Sequence, residues 1–83
     1  MAELNDEERA ILDFEGGGWW KHAGAKETAI RETFGVSATR YFQQLNGLID
    51  RPEALPYAPL LVKRLQRQRA ARARQRDARR LSV

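Results

Sequence analysis

Arg40, Gln43 and Gln44 lie within five residues of one another and carry side chains suited to reading DNA bases. Arginine pairs bidentately with guanine O6 and N7, and glutamine with adenine N6 and N7. Thr39 stands just ahead of them and adds a hydroxyl for either base and a methyl for thymine. A second chemistry occupies the last third of the chain. Residues 60–83 hold nine Lys/Arg against the single acid Asp77, and eight of the nine are arginine. Arginine's planar fork matches phosphate oxygens in pairs, so this stretch is suited to a polyanion. Residues 1–59 carry the opposite balance, with six Lys/Arg against ten Asp/Glu. The net charge of +4 therefore describes a mildly acidic globule bearing a basic arm.

Other chemistries find little support. Glu7, Glu8, Asp13 and Glu15 resemble paired carboxylates, but a first-turn acidic cluster ordinarily complements a helix dipole, and no nucleophile accompanies them. Gly16-Gly17-Gly18 lacks the Lys-Ser/Thr sequel of a phosphate-binding loop. His22 is the only histidine and there is no cysteine, which excludes disulfides and thiolate metal sites. No catalytic residue, metal or cofactor is expected. No stretch approaches the roughly 20 apolar residues of a membrane span, and the acidic N-terminus is unlike a secretory signal. A cytoplasmic protein acting at the nucleoid is expected.

The elements that must position these residues are helical. Asn5 suits an N-cap, with Asp6, Glu7 and Glu8 in the following turn and Ile11, Leu12 and Phe14 on the apolar side. The first helix is expected to continue, or kink mildly, across Gly16–Gly18, with Trp19 and Trp20 as one core residue and one partly exposed neighbour and Gly24 as its stop or turn. A second helix is expected from about Ala25 to Phe34. Gly35 then supplies a left-handed turn position, Val36 an apolar anchor and Ser37 a cap. A third helix should run from Ala38 to about Ile49. With Leu45 inward, Tyr41, Phe42, Leu48 and Ile49 fall within about 60° of it, while Thr39, Arg40 and Gln43 face outward with Gln44 and Asn46 at the flanks. This is the sequence form of a helix-turn-helix, although a packed helical hairpin has the same pattern. After the turn at Asp50–Glu53, Leu55, Tyr57, Leu60, Leu61 and Leu65 are expected to dock the next segment. Beyond Leu65 the arginines surround the helix, so a projecting arm that frays when free is expected.

Trp19-Trp20-Lys21-His22-Ala23-Gly24-Ala25-Lys26-Glu27, with Phe34-Gly35-Val36-Ser37-Ala38-Thr39-Arg40-Tyr41, resembles a family of small actinobacterial proteins known only as a domain of unknown function. The resemblance covers roughly Ile11 to Arg80. It implies a cytoplasmic, regulatory protein with a helix-turn-helix-like core and brings no catalytic residue; the three glycines depart from the bulkier polar residues expected there.

The reading is an all-α protein, with a three-helix helix-turn-helix core over residues 1–59 and a basic helix or arm over 60–83. Its leading function is double-stranded DNA binding, as a transcriptional regulator or nucleoid-associated factor. Thr39, Arg40, Gln43 and Gln44 would contact bases. Lys21, Lys26, Ser37, Lys63, Arg64, Arg67, Arg69, Arg72, Arg74 and Arg76 would contact phosphates. A domain this small makes a small interface, so a homodimer or cooperative oligomer is expected, with Trp20, Leu55, Tyr57 and Leu60 as candidate contacts. Two alternatives remain open. One is an adaptor that binds RNA polymerase or another protein assembly through the acidic first helix. The other is an RNA- or ribosome-binding protein that uses the arm.

Overall fold

The computed structural model describes residues 3–17 and 22–81. Five helices follow in order: α1 (Asp6–Gly17), α2 (Ala23–Phe34), α3 (Ala38–Ile49), the one-turn α4 (Ala54–Tyr57) and the long α5 (Pro59–Leu81). The fold is all-α. Three helices carry most of the core and a long helix completes the chain, as the sequence pattern predicts; the unforeseen α4 and the start of α5 close the core through Ala54, Leu61 and Val62.

Local chemistry sets each helix start. Asn5 and Glu8 form a reciprocal capping box. The Glu8 N–H donates to Asn5 Oδ1 at 2.8 Å, and the Asn5 N–H donates to Glu8 Oε1 at 2.8 Å. Glu8 thus closes the helix end as well as complementing its dipole. Ser37 Oγ accepts from the Arg40 N–H at 3.2 Å and caps α3. Pro59 opens α5, where its fixed φ suits the first helical position.

Gly35 ends α2 at φ 70°, with its N–H bonded to the Arg31 carbonyl at 2.9 Å. That left-handed residue reverses the chain so that α3 packs across α2.

α3 is the centre of the molecule and packs against all four other helices. Its Tyr41, Leu45, Leu48 and Ile49 are buried together with Leu4, Ile11, Leu12, Ile30, Ala54, Leu61 and Val62. The aromatic rings of Phe14, Phe34 and Tyr41 meet within this core at 5.4–5.7 Å between centroids, which pins α1, α2 and α3 together.

Several expectations change. Gly24 does not stop the first helix. It lies in the first turn of α2, which begins at Ala23 after an extended His22. α1 includes Gly16 and Gly17; Gly18 and the Trp19-Trp20-Lys21 run lie outside the described residues, with the expectations attached to them. Phe42 is 39% exposed rather than inward. It occupies the edge of the apolar sector, where Lys26 Nζ lies 5.2 Å from its ring centroid.

Docking of the C-terminal segment also differs in phase. Ala54, Leu61, Val62 and the half-buried Leu65 carry it, whereas Leu55, Tyr57 and Leu60 face solvent. Leu61, Val62 and Leu65 share one face of α5, and Leu60 points away because each residue turns the helix by about 100°. Tyr57 contributes through its hydroxyl, which donates to Asp13 Oδ1 at 2.8 Å.

Candidate nucleic-acid interface

The solvent face of α3 carries Thr39, Arg40, Gln43 and Gly47, all exposed. Arg40 makes no ion pair or side-chain hydrogen bond among the described residues, so its guanidinium is available to a ligand. Gln44 is placed differently. It is half-buried and lines a groove of about 260 Å³ between α1 and α3, together with Glu7, Glu8, Gly47 and Arg51. Gln44 thus shares its groove with the Glu7 carboxylate and the Glu8–Arg51 ion pair.

Glu8 is itself held in place. Arg51 bonds it, and the Asn5 N–H together with Arg51 holds its carboxyl below the usual carboxylate range. Arg51 Nε also lies 3.3 Å from Glu53 Oε2, so this arginine joins the α3–α4 connection to the start of α1.

α5 borders the other side of α3. Gln66 Nε2 donates to the Ile49 carbonyl at 3.0 Å, and Arg69 Nη1 reaches the Asn46 carbonyl at 3.4 Å. Both carbonyls belong to the last turn of α3, whose acceptors have no partner within the helix. Arg69 also grips Asp50, with Nη2 2.6 Å from Oδ1 and Nη1 3.0 Å from Oδ2. The pairing pulls the Asp50 carboxyl below its ordinary range.

These contacts divide the phosphate candidates. Arg69 is engaged with Asp50 and acts as a structural tether. Lys26 is also engaged, because its Nζ lies 2.6 Å from Glu15 Oε1 and its stem is largely covered. Both cations are already neutralised, a result hidden from sequence because their partners lie 19 and 11 residues away. Tyr41 donates to the same Glu15 oxygen at 2.9 Å, so a buried tyrosine, a nearly buried carboxylate and a lysine form one network. Burial, with Glu15 beside it, pushes the Tyr41 hydroxyl well above its ordinary range.

Arg72 Nε makes a long 3.5 Å contact to the Gln68 carbonyl and borders a cavity of about 270 Å³ beside Phe42 and Asn46. Ser37 is exposed and its hydroxyl oxygen already accepts the capping bond. Lys21 lies outside the described residues.

Lys63, Arg64, Arg67, Arg74 and Arg76 are exposed and make no ion pair among the described residues. Lys63, Arg67 and Arg74 lie on the side of α5 opposite Leu61, Val62 and Leu65, with Arg64 at the flank. Between Lys63 and Arg74 the helix rises about 16 Å. Arg31, in the last turn of α2, is another exposed cation with no side-chain partner among the described residues. Sequence reading passed over it because nothing in the helix pattern sets it apart.

A family model described as a protein of unknown function, DUF3263, matches residues 3–77. The chain belongs to this family. The DUF3263 match runs from Glu3, ahead of α1, to Asp77 in α5, so both the α2–turn–α3 unit and most of the arginine-rich helix lie inside it. Comparison with curated proteins and with solved structures finds no match to the chain. Among the described residues of this DUF3263 domain, no helix is long and apolar enough to cross a membrane.

Proposed function

We propose that this chain is a small DNA-binding protein, a transcriptional regulator or a nucleoid-associated factor. In this reading α2, the Gly35 turn and α3 act as a helix-turn-helix. Thr39, Arg40 and Gln43 enter the major groove, with Gln44 at the flank nearest α1. Lys63, Arg64, Arg67, Arg74 and Arg76 neutralise phosphates, and Arg72 joins them at the inner edge of α5.

The observation that carries the reading is the unneutralised charge on α5. A 23-residue helix presents six exposed cations without an acid partner among the described residues (Arg72 included), beside a helix whose outer face is polar. A solvated surface helix ordinarily interleaves acids with its bases. The acidic face of α1 lies on the other flank of α3, so a duplex is attracted on the α5 side and repelled on the α1 side.

The test is fluorescence anisotropy of the full chain with a duplex across a salt series, beside structured RNA of equal length. DNA binding predicts tighter association with the duplex and a steep salt slope, because each neutralised phosphate releases counterions. Tighter association with structured RNA assigns the arm to RNA instead. Absence of binding to either at low salt shifts attention to a protein assembly such as RNA polymerase, met through the acidic α1.

A further inference from the structure

The cavity of about 270 Å³ opens where four helices meet, with Glu15 of α1, Lys26 of α2, Phe42 and Asn46 of α3, and Gln68 and Arg72 of α5 around it. Leu45, Ile49 and Leu65 supply its apolar wall. It falls just short of the roughly 300 Å³ at which drug-sized sites begin, so it suits a ligand of one or two rings.

The charges around it do not cancel. Glu15, whose side chain is 7% exposed, is matched by Lys26 Nζ at 2.6 Å and accepts from the Tyr41 hydroxyl at 2.9 Å. Arg72 is the surplus cation. Its one contact among the described residues runs from Nε to the Gln68 carbonyl at 3.5 Å, so both terminal nitrogens of its guanidinium fork are unengaged. The side-chain amides of Asn46 and Gln68 likewise bond no protein group among the described residues. The Phe42 ring is 39% exposed at the cavity edge. An unmatched guanidinium, two amides bonded only to solvent and an aromatic ring thus converge on one apolar-walled recess.

We propose that this cavity binds a small planar aromatic carboxylate. The Arg72 fork matches two carboxylate oxygens in a bidentate pair. The ring of the ligand lies against Leu45, Ile49 and Leu65 and meets the Phe42 ring in an edge or offset contact. Asn46 and Gln68 exchange their solvent hydrogen bonds for bonds to the ligand's polar edge. A single surplus positive charge matches a monoanion, and the Glu15 carboxylate in the wall disfavours the second negative charge of a phosphate monoester. The proposal concerns the protein and a small molecule alone and stands whether or not the chain binds DNA.

Titration of the full chain with naphthoate, followed by NMR of the side-chain nitrogen-bound protons, tests it. The expected result is a saturable shift of the Asn46 and Gln68 amide signals and of Arg72 Nε–H. Naphthamide has nearly the same shape without the charge and is expected to bind about tenfold more weakly, because the charge-assisted pair is lost. Arg72→Gln is expected to weaken naphthoate by a similar factor and to leave naphthamide unchanged. Arg67→Gln, on the opposite side of α5, is expected to alter neither, which separates the cavity from the general positive charge of the helix. Absence of saturable shifts at these residues overturns the proposal. Equal binding of naphthoate and naphthamide, or equal losses from Arg72→Gln and Arg67→Gln, overturns the role of Arg72 and the proposal with it. Tighter binding of naphthyl phosphate than of naphthoate overturns the choice of a carboxylate.

Discussion

Arg69 of α5 grips Asp50, the C-cap of α3, through its two terminal guanidinium nitrogens at 2.6 and 3.0 Å. The pair resolves a local conflict. A carboxylate at a helix C-terminus opposes the helix dipole, and Asp50 would be unfavourable there alone. Arg69 neutralises it and also reaches the Asn46 carbonyl, so one side chain serves the helix end and fixes the direction of α5. Both groups are substantially exposed, which limits the contribution of the pair to stability. Its consequence lies in the placement of the arm against the α3 face.

Asp50→Ala should therefore lower the melting temperature only slightly while releasing Arg69. If the released guanidinium finds a phosphate, the slope of log K against log salt steepens by about 0.9. Anisotropy titrations of wild type and variant at matched salt measure this. An unchanged slope would show that Arg69 does not reach the duplex even when free.

In the DNA-binding reading, the proposed base-facing and phosphate-facing sets separate by their signatures. Arg40→Ala should reduce discrimination between a preferred and a scrambled duplex by about 1–3 kcal/mol. Arg67→Ala and Arg74→Ala should weaken binding to every duplex alike, each flattening the salt slope by about 0.9. Competition titrations at two or more salt concentrations read both quantities. Equal losses on all duplexes for Arg40→Ala would reassign that residue to the backbone.

The glycine that ends α2 and the one on the exposed face of α3 should respond with opposite signs. Gly35 holds φ 70° with nothing within 4 Å of an added Cβ, so Gly35→Ala costs about 1–2 kcal/mol from backbone strain alone. Gly47 sits inside α3 facing open space, and Gly47→Ala should stabilise by about 0.5–1 kcal/mol. Urea denaturation of both variants checks the pair. In the DNA-binding reading, Gly47→Ala weakens the complex despite the added stability, because a methyl then stands on the face that approaches the duplex.

Acid and alkali should each destabilise the fold. The Glu8 and Asp50 carboxyls are held low in the folded state, Glu8 by the Asn5 N–H with Arg51 and Asp50 by Arg69. Around pH 4 the unfolded chain consequently binds more protons than the folded one. Their stabilisation is present above that range and is lost as pH falls through the lowered folded values. Tyr41 and Tyr57 behave in the opposite sense. Their hydroxyls are held above the ordinary value, Tyr41 by burial and Tyr57 by its bond to Asp13, so stability declines as pH rises past about 10. Thermal melts followed by circular dichroism from pH 3 to 11 should trace a plateau with a fall at each end. Asp50→Asn should shallow the acid limb.

Much of the fold was legible because its signals are local. Ser37 caps a helix, Gly35 takes a left-handed turn, and the apolar residues of α3 recur at helical spacing; each follows from neighbours within a few positions. The charge asymmetry is likewise a property of the chain itself. The phase of the C-terminal segment was not legible, since Leu60 and Leu61 are alike in sequence. Only the docking of α5 on the core exposes one and buries the other.

The sequence by itself determined the all-α class, the α2–turn–α3 unit, the outward set Thr39, Arg40 and Gln43, and a basic helix following an acidic core. Tertiary structure decided which of those charges remain available. Lys26 and Arg69 were joined to Glu15 and Asp50, Gln44 was turned toward the acidic start of α1, and Lys63, Arg64, Arg67, Arg74 and Arg76 were left in solvent. The physical reason is that an ion pair depends on separation in space, and across helices that separation is set by packing, which spacing along the chain does not encode.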